Sequence, residues 1–234
     1  MTSPKPTIEQ VNEEAYLLRF GNHINEQTAD QILWTTRQLK RLHDIQDLIP
    51  SYTTILLTLK TQAEQPHKLI DEIENILNES TEQAAIPLDQ RKTVVIPVYY
   101  GNEVGPDLQE VAKHCQMTPE EVIQRHSATL YRAYTIGFTP GFSFLGSTPD
   151  ELHIPRKRTP RHQAPKGSVA IAENQTAVYP SVTPGGWQII GRTPMELVDW
   201  NSEHLGLIAT GDSVRFEAIS REAFLAQGGK LDGF

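Results

Sequence analysis

Six side chains in this sequence have the types and the setting to hold a small anion and act on it: His126, Arg161, Gln175, Tyr179, Trp187 and Arg192. Arg161 and Arg192 each offer a planar fork of N–H donors that matches a carboxylate or a phosphate. Arg192 follows Gly191 and precedes Thr-Pro, so its backbone is constrained. Gln175, Tyr179 and Trp187 present an amide, a phenol and an indole. Such polar tips on apolar bodies line small-molecule pockets, and they are equally common in cores. His126, with an ordinary pKa near ~6.5, can give and take a proton at neutral pH. At the end of a helix it can equally serve to complement the dipole. His126 and Arg192 are therefore the candidates for chemistry. Arg161, Gln175, Tyr179 and Trp187 are the candidates for substrate binding, with a surface salt bridge as the plain alternative for either arginine.

All but His126 lie within residues 137–194, a quarter of the chain that holds seven of its 15 glycines and eight of its 16 prolines. Its charge is inverted as well. Residues 151–194 carry six Lys/Arg against two acids, a local +4 in a chain whose formal net charge is −8. Glycine and proline impose special backbone angles. A basic backbone held this way, dotted with Tyr, Trp, Gln and His, is suited to be the wall of an anion site. Phe138, Phe142 and Phe144, set among Gly137, Gly141 and Gly146, supply apolar lining or core.

Several chemistries fail on inspection. No G-x-x-x-x-G-K-[ST] is present, so no phosphate loop of that type is expected. There is no H-E-x-x-H, the eight histidines are scattered, and one cysteine cannot build a thiolate cluster, so no metal site is expected. G-F-S-F-L (141–145) has leucine where a G-x-S-x-G nucleophile elbow needs its second glycine. The single Cys115 excludes an internal disulfide, suits a reducing cytoplasm and reads as a small hydrophobe. The net acidic balance argues against a nucleic-acid partner. No apolar run approaches the ~20 residues of a membrane span, and the start M-T-S-P-K-P-T-I-E-Q lacks the order of a signal peptide.

The elements that must position these residues fall into two regions. Residues 15–20 read as a strand, 25–43 as an amphipathic helix, 52–59 as a β-branched strand after Pro50, and 67–77 as a second helix, together a small α/β sandwich. The polar stretch 78–92, with Pro87, is the expected boundary. Residues 93–100 follow as a strand whose Pro97 confines it to a sheet edge. A short helix is expected over 106–114. A second opens at Thr118-Pro119-Glu120-Glu121 and runs to about His126. A further extended segment, 129–138, leads into the Gly/Pro region. Short strands over 168–172, 177–179, 187–190 and 213–219 then suggest a barrel or sandwich, with a helical turn or two in the tail from Arg221.

Several runs together resemble one bacterial family. They are His126 with Y-R-A-Y-T-I-G-F-T-P-G-F-S-F-L-G (131–146), P-R-K-R-T-P-R (155–161), P-K-G-S-V-A-I-A (165–172), Q-T-A-V-Y-P (175–180), P-G-G-W-Q-I-I-G-R-T-P (184–194) and G-D-S-V-R-F (211–216). The chain resembles the B-subunit of 5-oxoprolinase (PxpB), also known as KipI, the inhibitor of a sporulation histidine kinase. It also resembles subunit 1 of the allophanate-hydrolase-like pair, within the carboxyltransferase C/D domain group of urea carboxylase. The resemblance implies an α+β architecture: a small N-terminal α/β sandwich domain over 1–88, then a cyclophilin-like β-barrel domain over 89–234. It implies two partners, a homologous C-subunit (PxpC-like) and a third, A-subunit (PxpA-like). Together they would open 5-oxo-L-proline to L-glutamate with ATP used in the complex, which gives the basic wall a small carboxylate ligand. The alternative it implies is inhibition of a sensor histidine kinase. Two positions depart from the family pattern: Ser143-Phe144 stands where relatives usually have Pro-Tyr, and Lys166 where a small residue is common.

Overall fold

The β-branched and leucine residues of T-I-L-L-T-L form β4 (Thr54–Leu59), an interior strand of the first sheet whose burial alternates, with Ile55, Leu57 and Leu59 on its buried face. The computed structural model describes residues 5–60, 66–83, 91–202 and 205–233. They divide into two compact units, Met1–Arg91 and Lys92–Phe234. In the first, β1 (Thr7–Gln10), β2 (Ala15–Arg19), β3 (Ile45–Pro50) and β4 form an antiparallel sheet in the order β1-β2-β4-β3. Helices α1 (Glu26–Leu39) and α2 (Pro66–Gln83) cover it. Leu18, Phe20, Ile32, Leu39, Leu69, Ile73 and Leu77 join the β4 residues in its core. Helix α1 begins where Asn25 accepts the Thr28 N–H through its side chain at 2.8 Å.

Three features of this unit differ from the sequence reading. β1 and β3 are additional to it, because both are edge strands without polar/apolar alternation in sequence, and their extended form comes from pairing with a neighbour. Residues 78–83 continue α2 instead of beginning a linker. They are polar, but they are compatible with a helix, and the Ser80 hydroxyl donates back to the Leu77 carbonyl at 2.7 Å. Residues 84–90, which hold Pro87, lie outside the described residues.

The second unit contains β5 (Thr93–Val98), α3 (Leu108–His114), α4 (Pro119–Ala128), β6 (Leu130–Ile136), β7 (Ser143–Gly146), β8 (Arg161–Ala164), β9 (Ser168–Ala172), β10 (Gln175–Val178), β11 (Thr183–Gly185), β12 (Gln188–Arg192), β13 (Ser213–Ala218) and α5 (Arg221–Ala226). Seven of its strands form one sheet in the order β12-β9-β10-β7-β6-β13-β5. β5 is at the edge, where Pro97 costs no ladder bond. The two edges nearly meet: Tyr99 and Arg192 exchange backbone hydrogen bonds of 2.8 and 2.9 Å. The approach requires Gly191, since a Cβ there would lie 2.8 Å from the Tyr99 carbonyl oxygen. The result is a mixed α/β structure with a nearly closed, barrel-like sheet. Helix α4 carries the expected capping box, with Thr118 and Glu121 bonding each other's backbone N–H.

The central strands present unequal faces. Val169, Ile171, Val178 and Ile190 point into the main core. Ala170, Ala172, Ala177 and Ile189 point the other way, into a second cluster with Phe142, Tyr179 and Trp187. The run of alanines leaves room for large rings to stack against the sheet, and that placement builds the site.

Candidate functional site

Tyr179 follows β10 and Trp187 precedes β12, two strands separated by β9, and both rings lie on the same sheet face, packed around Phe142. With Phe138, Phe142, Phe144, Arg156 and the turns at Pro160 and 184–186, they line a cup of about 260 Å³. Its rings interlock edge to face around Phe142, with centroids 5.3 Å from Tyr179, 4.9 Å from Phe144 and 5.8 Å from Trp187. Phe142 is buried, so it is core as well as lining, whereas Phe138 is 64% exposed at the mouth. Phe138 is held with φ at 69°, inside a turn closed by Phe142 N–H to Thr139 O (3.0 Å) and Gly137 N–H to Phe142 O (3.1 Å). A side chain in this left-handed region costs about 1 kcal/mol or more. Gly185 must lack a side chain, since a Cβ there would collide with the Tyr179 hydroxyl. Burial pushes the Tyr179 phenol above its ordinary pKa, and a hydrogen bond with the Trp187 backbone partly offsets this. Arg156 supplies charge at the rim, its guanidinium 5.8 Å from the Trp187 ring centroid in a cation–π contact.

Behind the cup lies a residue that the sequence did not mark. Asp107 is 3% exposed and carries three donors. Its Oδ1 accepts from Lys157 Nζ at 2.8 Å and Arg161 Nη2 at 2.6 Å, and its Oδ2 accepts the Ile189 N–H at 2.7 Å. These bonds join the segment before α3 to the 155–160 strap, β8 and β12. Arg161 therefore stands next to the cup, since its Cα pairs with Gly185, but one arm of its fork is committed to Asp107. Its Nη1 is buried without a hydrogen-bond partner. Burial works against the charge on Lys157, but Asp107 and Glu110 outweigh it and raise its pKa.

The other expected site residues are elsewhere. Gln175 opens β10, paired with Gly146 and Ala172, four residues from Tyr179 and so about 13 Å along the strand. Arg192 ends β12, away from Trp187. It donates from Nε to the Lys166 carbonyl (2.8 Å) and from Nη1 to the carbonyls of Lys230 (2.8 Å) and Asp232 (2.6 Å). Burial lowers its pKa. Arg192 thus anchors the C-terminal segment through its guanidinium. Of the cations, Arg156 lines the cup, with Asp107 bonded to Arg161 behind it; the candidates Gln175 and Arg192 do not line it.

His126 is fully buried and fully bonded. Thr176 Oγ1 donates its only proton to the Ala170 carbonyl (3.0 Å), so His126 Nε2 donates to Thr176 (2.8 Å) and Nδ1 accepts from the Tyr100 hydroxyl (2.8 Å). The ring also stacks on Phe216 at 4.4 Å. No ring nitrogen is left for a substrate, so this histidine is a core group joining α4 to the sheet. Burial drives its pKa down to about 3 from the ordinary 6.5. Between those values the unfolded chain binds a proton that the folded chain refuses. Stability should therefore fall as pH drops below 6.5, by about 1.4 kcal/mol per unit, and this contribution should be flat above 6.5. Denaturant titrations at pH 7 and pH 5 should show wild type losing roughly 2 kcal/mol more than His126→Gln, whose side chain does not titrate. Equal losses in the two proteins would rule out this linkage.

Among the described residues no three His, Cys, Asp or Glu side chains group as a metal site requires, and no helix is long and apolar enough to cross a membrane. The class these features define is a mixed α/β structure whose barrel-like sheet carries an aromatic cup with a cation on its rim. Comparison with known proteins narrows the class. The carboxyltransferase domain family, subdomain C and D, matches residues 6–208. The chain is 38% identical over 228 residues to the B-subunit of 5-oxoprolinase from Bacillus subtilis (strain 168), covering 94% of this chain and 95% of that one. It is 50% identical over 127 residues to the B-subunit of 5-oxoprolinase from Haemophilus influenzae, covering 54% of this chain and 60% of that one. The crystal structure of TTHA0988 superposes with a TM-score of 0.77 at 32% identity over 88% of this chain, which spans 40% of that longer one. The urea amidolyase of Kluyveromyces lactis shares the fold, with a TM-score of 0.71 at 14% identity over 97% of this chain and 15% of that one. The chain belongs to the carboxyltransferase C/D domain family, and its relatives within that family include 5-oxoprolinase B-subunits.

Proposed function

We propose that this chain is the B-subunit of an ATP-dependent 5-oxoprolinase that opens 5-oxo-L-proline to L-glutamate together with a homologous C-subunit and a third, A-subunit. The observation that carries the reading is the near full-length match, at 38% identity, to a protein named as the B-subunit of 5-oxoprolinase. The same comparisons favour this role over the kinase-inhibitor alternative. In this reading the Met1–Arg91 unit is a separate α/β domain and the Lys92–Phe234 unit a cyclophilin-like barrel that carries the site.

The aromatic cup supports the assignment on chemical grounds. 5-Oxoproline is a small lactam ring with one carboxylate. Faces of Tyr179, Trp187 and the phenylalanines suit the ring, and Arg156 suits the carboxylate. Arg161, held against Asp107, adds positive potential close to the same wall. A lactam is resonance-stabilised, so its opening is coupled to ATP, a co-substrate of the assembled enzyme. Co-expression with the candidate partner subunits should yield ATP-dependent release of glutamate from 5-oxoproline. Release should be lost when this chain is left out, and unchanged activity in its absence would overturn the assignment.

A further inference from the structure

A second cleft lies on the other side of the strap from the cup. It has a volume of about 370 Å³ and is walled by Glu110, His114, Arg156, Lys157, Arg158 and Gln188, among others. Pro155 and Pro160 bracket the strap. Lys157 N–H donates to the Gly186 carbonyl (2.7 Å) and Gln188 Nε2 donates to the Pro155 carbonyl (3.1 Å), so its backbone is stapled to the segment leading into β12. Lys157 Nζ adds bonds to Asp107 (2.8 Å) and Glu110 (3.3 Å). The cleft is thus built on a held backbone.

The charges around it do not cancel. Asp107 and Glu110 are matched by Lys157 and Arg161. Arg156 and Arg158 remain. Both are exposed, and among the described residues neither has a carboxylate partner in an ion pair. Two guanidinium forks on one short strap, in a chain of net charge −8, form a local cationic site that the rest of the protein does not neutralise. Two positive charges with several N–H donors match a tetrahedral dianion better than a monocarboxylate.

We infer that this cleft binds a phosphoryl dianion, either free phosphate or the end of a phosphorylated molecule, through Arg156 and Arg158. The inference goes beyond the aromatic cup, with which the cleft shares Arg156 as a wall residue; its test needs no partner subunits and varies Arg158, which does not line the cup, so its failure is distinguishable from that of the oxoprolinase reading. The full-length chain should be titrated calorimetrically with inorganic phosphate, with chloride at matched ionic strength as the control. Saturable binding is expected at one site per chain, with a dissociation constant of roughly 0.1–1 mM. Arg158→Gln should weaken it about tenfold or more, the loss of one charge-assisted contact. Arg158→Lys should weaken it less. Arg158 is exposed and makes no ion pair, so the thermal midpoint should be unchanged, which separates lost binding from lost folding. ATP that binds more tightly than phosphate and is displaced by it, with no binding of adenosine, identifies a nucleotide as the source of the dianion. ATP that binds no more tightly identifies free phosphate. No saturable heat, equal binding of acetate, or an Arg158→Gln protein with wild-type affinity overturns the inference.

Discussion

Asp107→Ala should destabilise the Lys92–Phe234 unit by about 3–5 kcal/mol, the cost of removing one partner from a buried ion pair. The carboxylate is nearly inaccessible and accepts three short hydrogen bonds, two of them from cations. Without it, Lys157 keeps only Glu110 at 3.3 Å and Gln188 at 3.4 Å. Arg161 fares worse, because its Nη1 is already buried without a partner and its Nη2 would lose the bond to Asp107. The Ile189 N–H would also be orphaned inside the sheet, which adds a desolvation cost of its own. Asp107→Asn should lose less, since its amide oxygen can still accept one of these donors. Removing the cations as well separates charge from packing: Lys157→Met and Arg161→Met in the Asp107→Ala background should restore about 2 kcal/mol, because no unpaired charge then remains buried. Equilibrium denaturation checks each variant. A loss below about 1 kcal/mol for Asp107→Ala would mean that water replaces the carboxylate without penalty.

Asp107 also marks where sequence reasoning stops. Its donors come from 50, 54 and 82 residues further along the chain, and no local pattern joins them. Local chemistry was far more legible. The capping box at Thr118 and Glu121 is written in four consecutive residues, and Pro97 announces an edge strand because it cannot donate to a ladder. β1 and β3 were opaque because edge strands are specified by the neighbours they pair with.

The site divides along the same line. Gln175, Tyr179 and Trp187 form one group in the sequence because they fall on successive short strands of a Gly/Pro-rich region, and of the three only the two aromatics line the cup. Arg156 was hidden inside P-R-K-R, where four letters do not tell which cation is paired and which is free. His126 shows the opposite error. Its residue type suggests proton transfer, but two hydroxyl partners and complete burial make it part of the core. Arg192 has the right fork, yet it faces backbone carbonyls, which the sequence cannot distinguish from a ligand.

Arg156 is where these arguments can be decided by kinetics. In the assembled enzyme, Arg156→Met should raise KM for 5-oxoproline by about 10–100-fold, the loss of one charge-assisted contact worth ~1.5–3 kcal/mol. The change should fall on KM more than on kcat, because a rim cation that holds the substrate carboxylate acts equally in the ground and transition states. Stability should be nearly untouched: the side chain is exposed, and its one described contact is the face of Trp187, worth ~0.5–1 kcal/mol at such a site. Arg156→Lys retains the charge without the planar fork, so it should recover part of the loss. A Trp187→Leu variant should behave differently. It opens the buried floor of the cup, so it should lower stability by a few kcal/mol as well as weaken binding. If Arg156→Met leaves KM unchanged while Trp187→Leu raises it, the cup holds the ring alone and the carboxylate is met by another group, with Arg161 the nearest cation on the same wall.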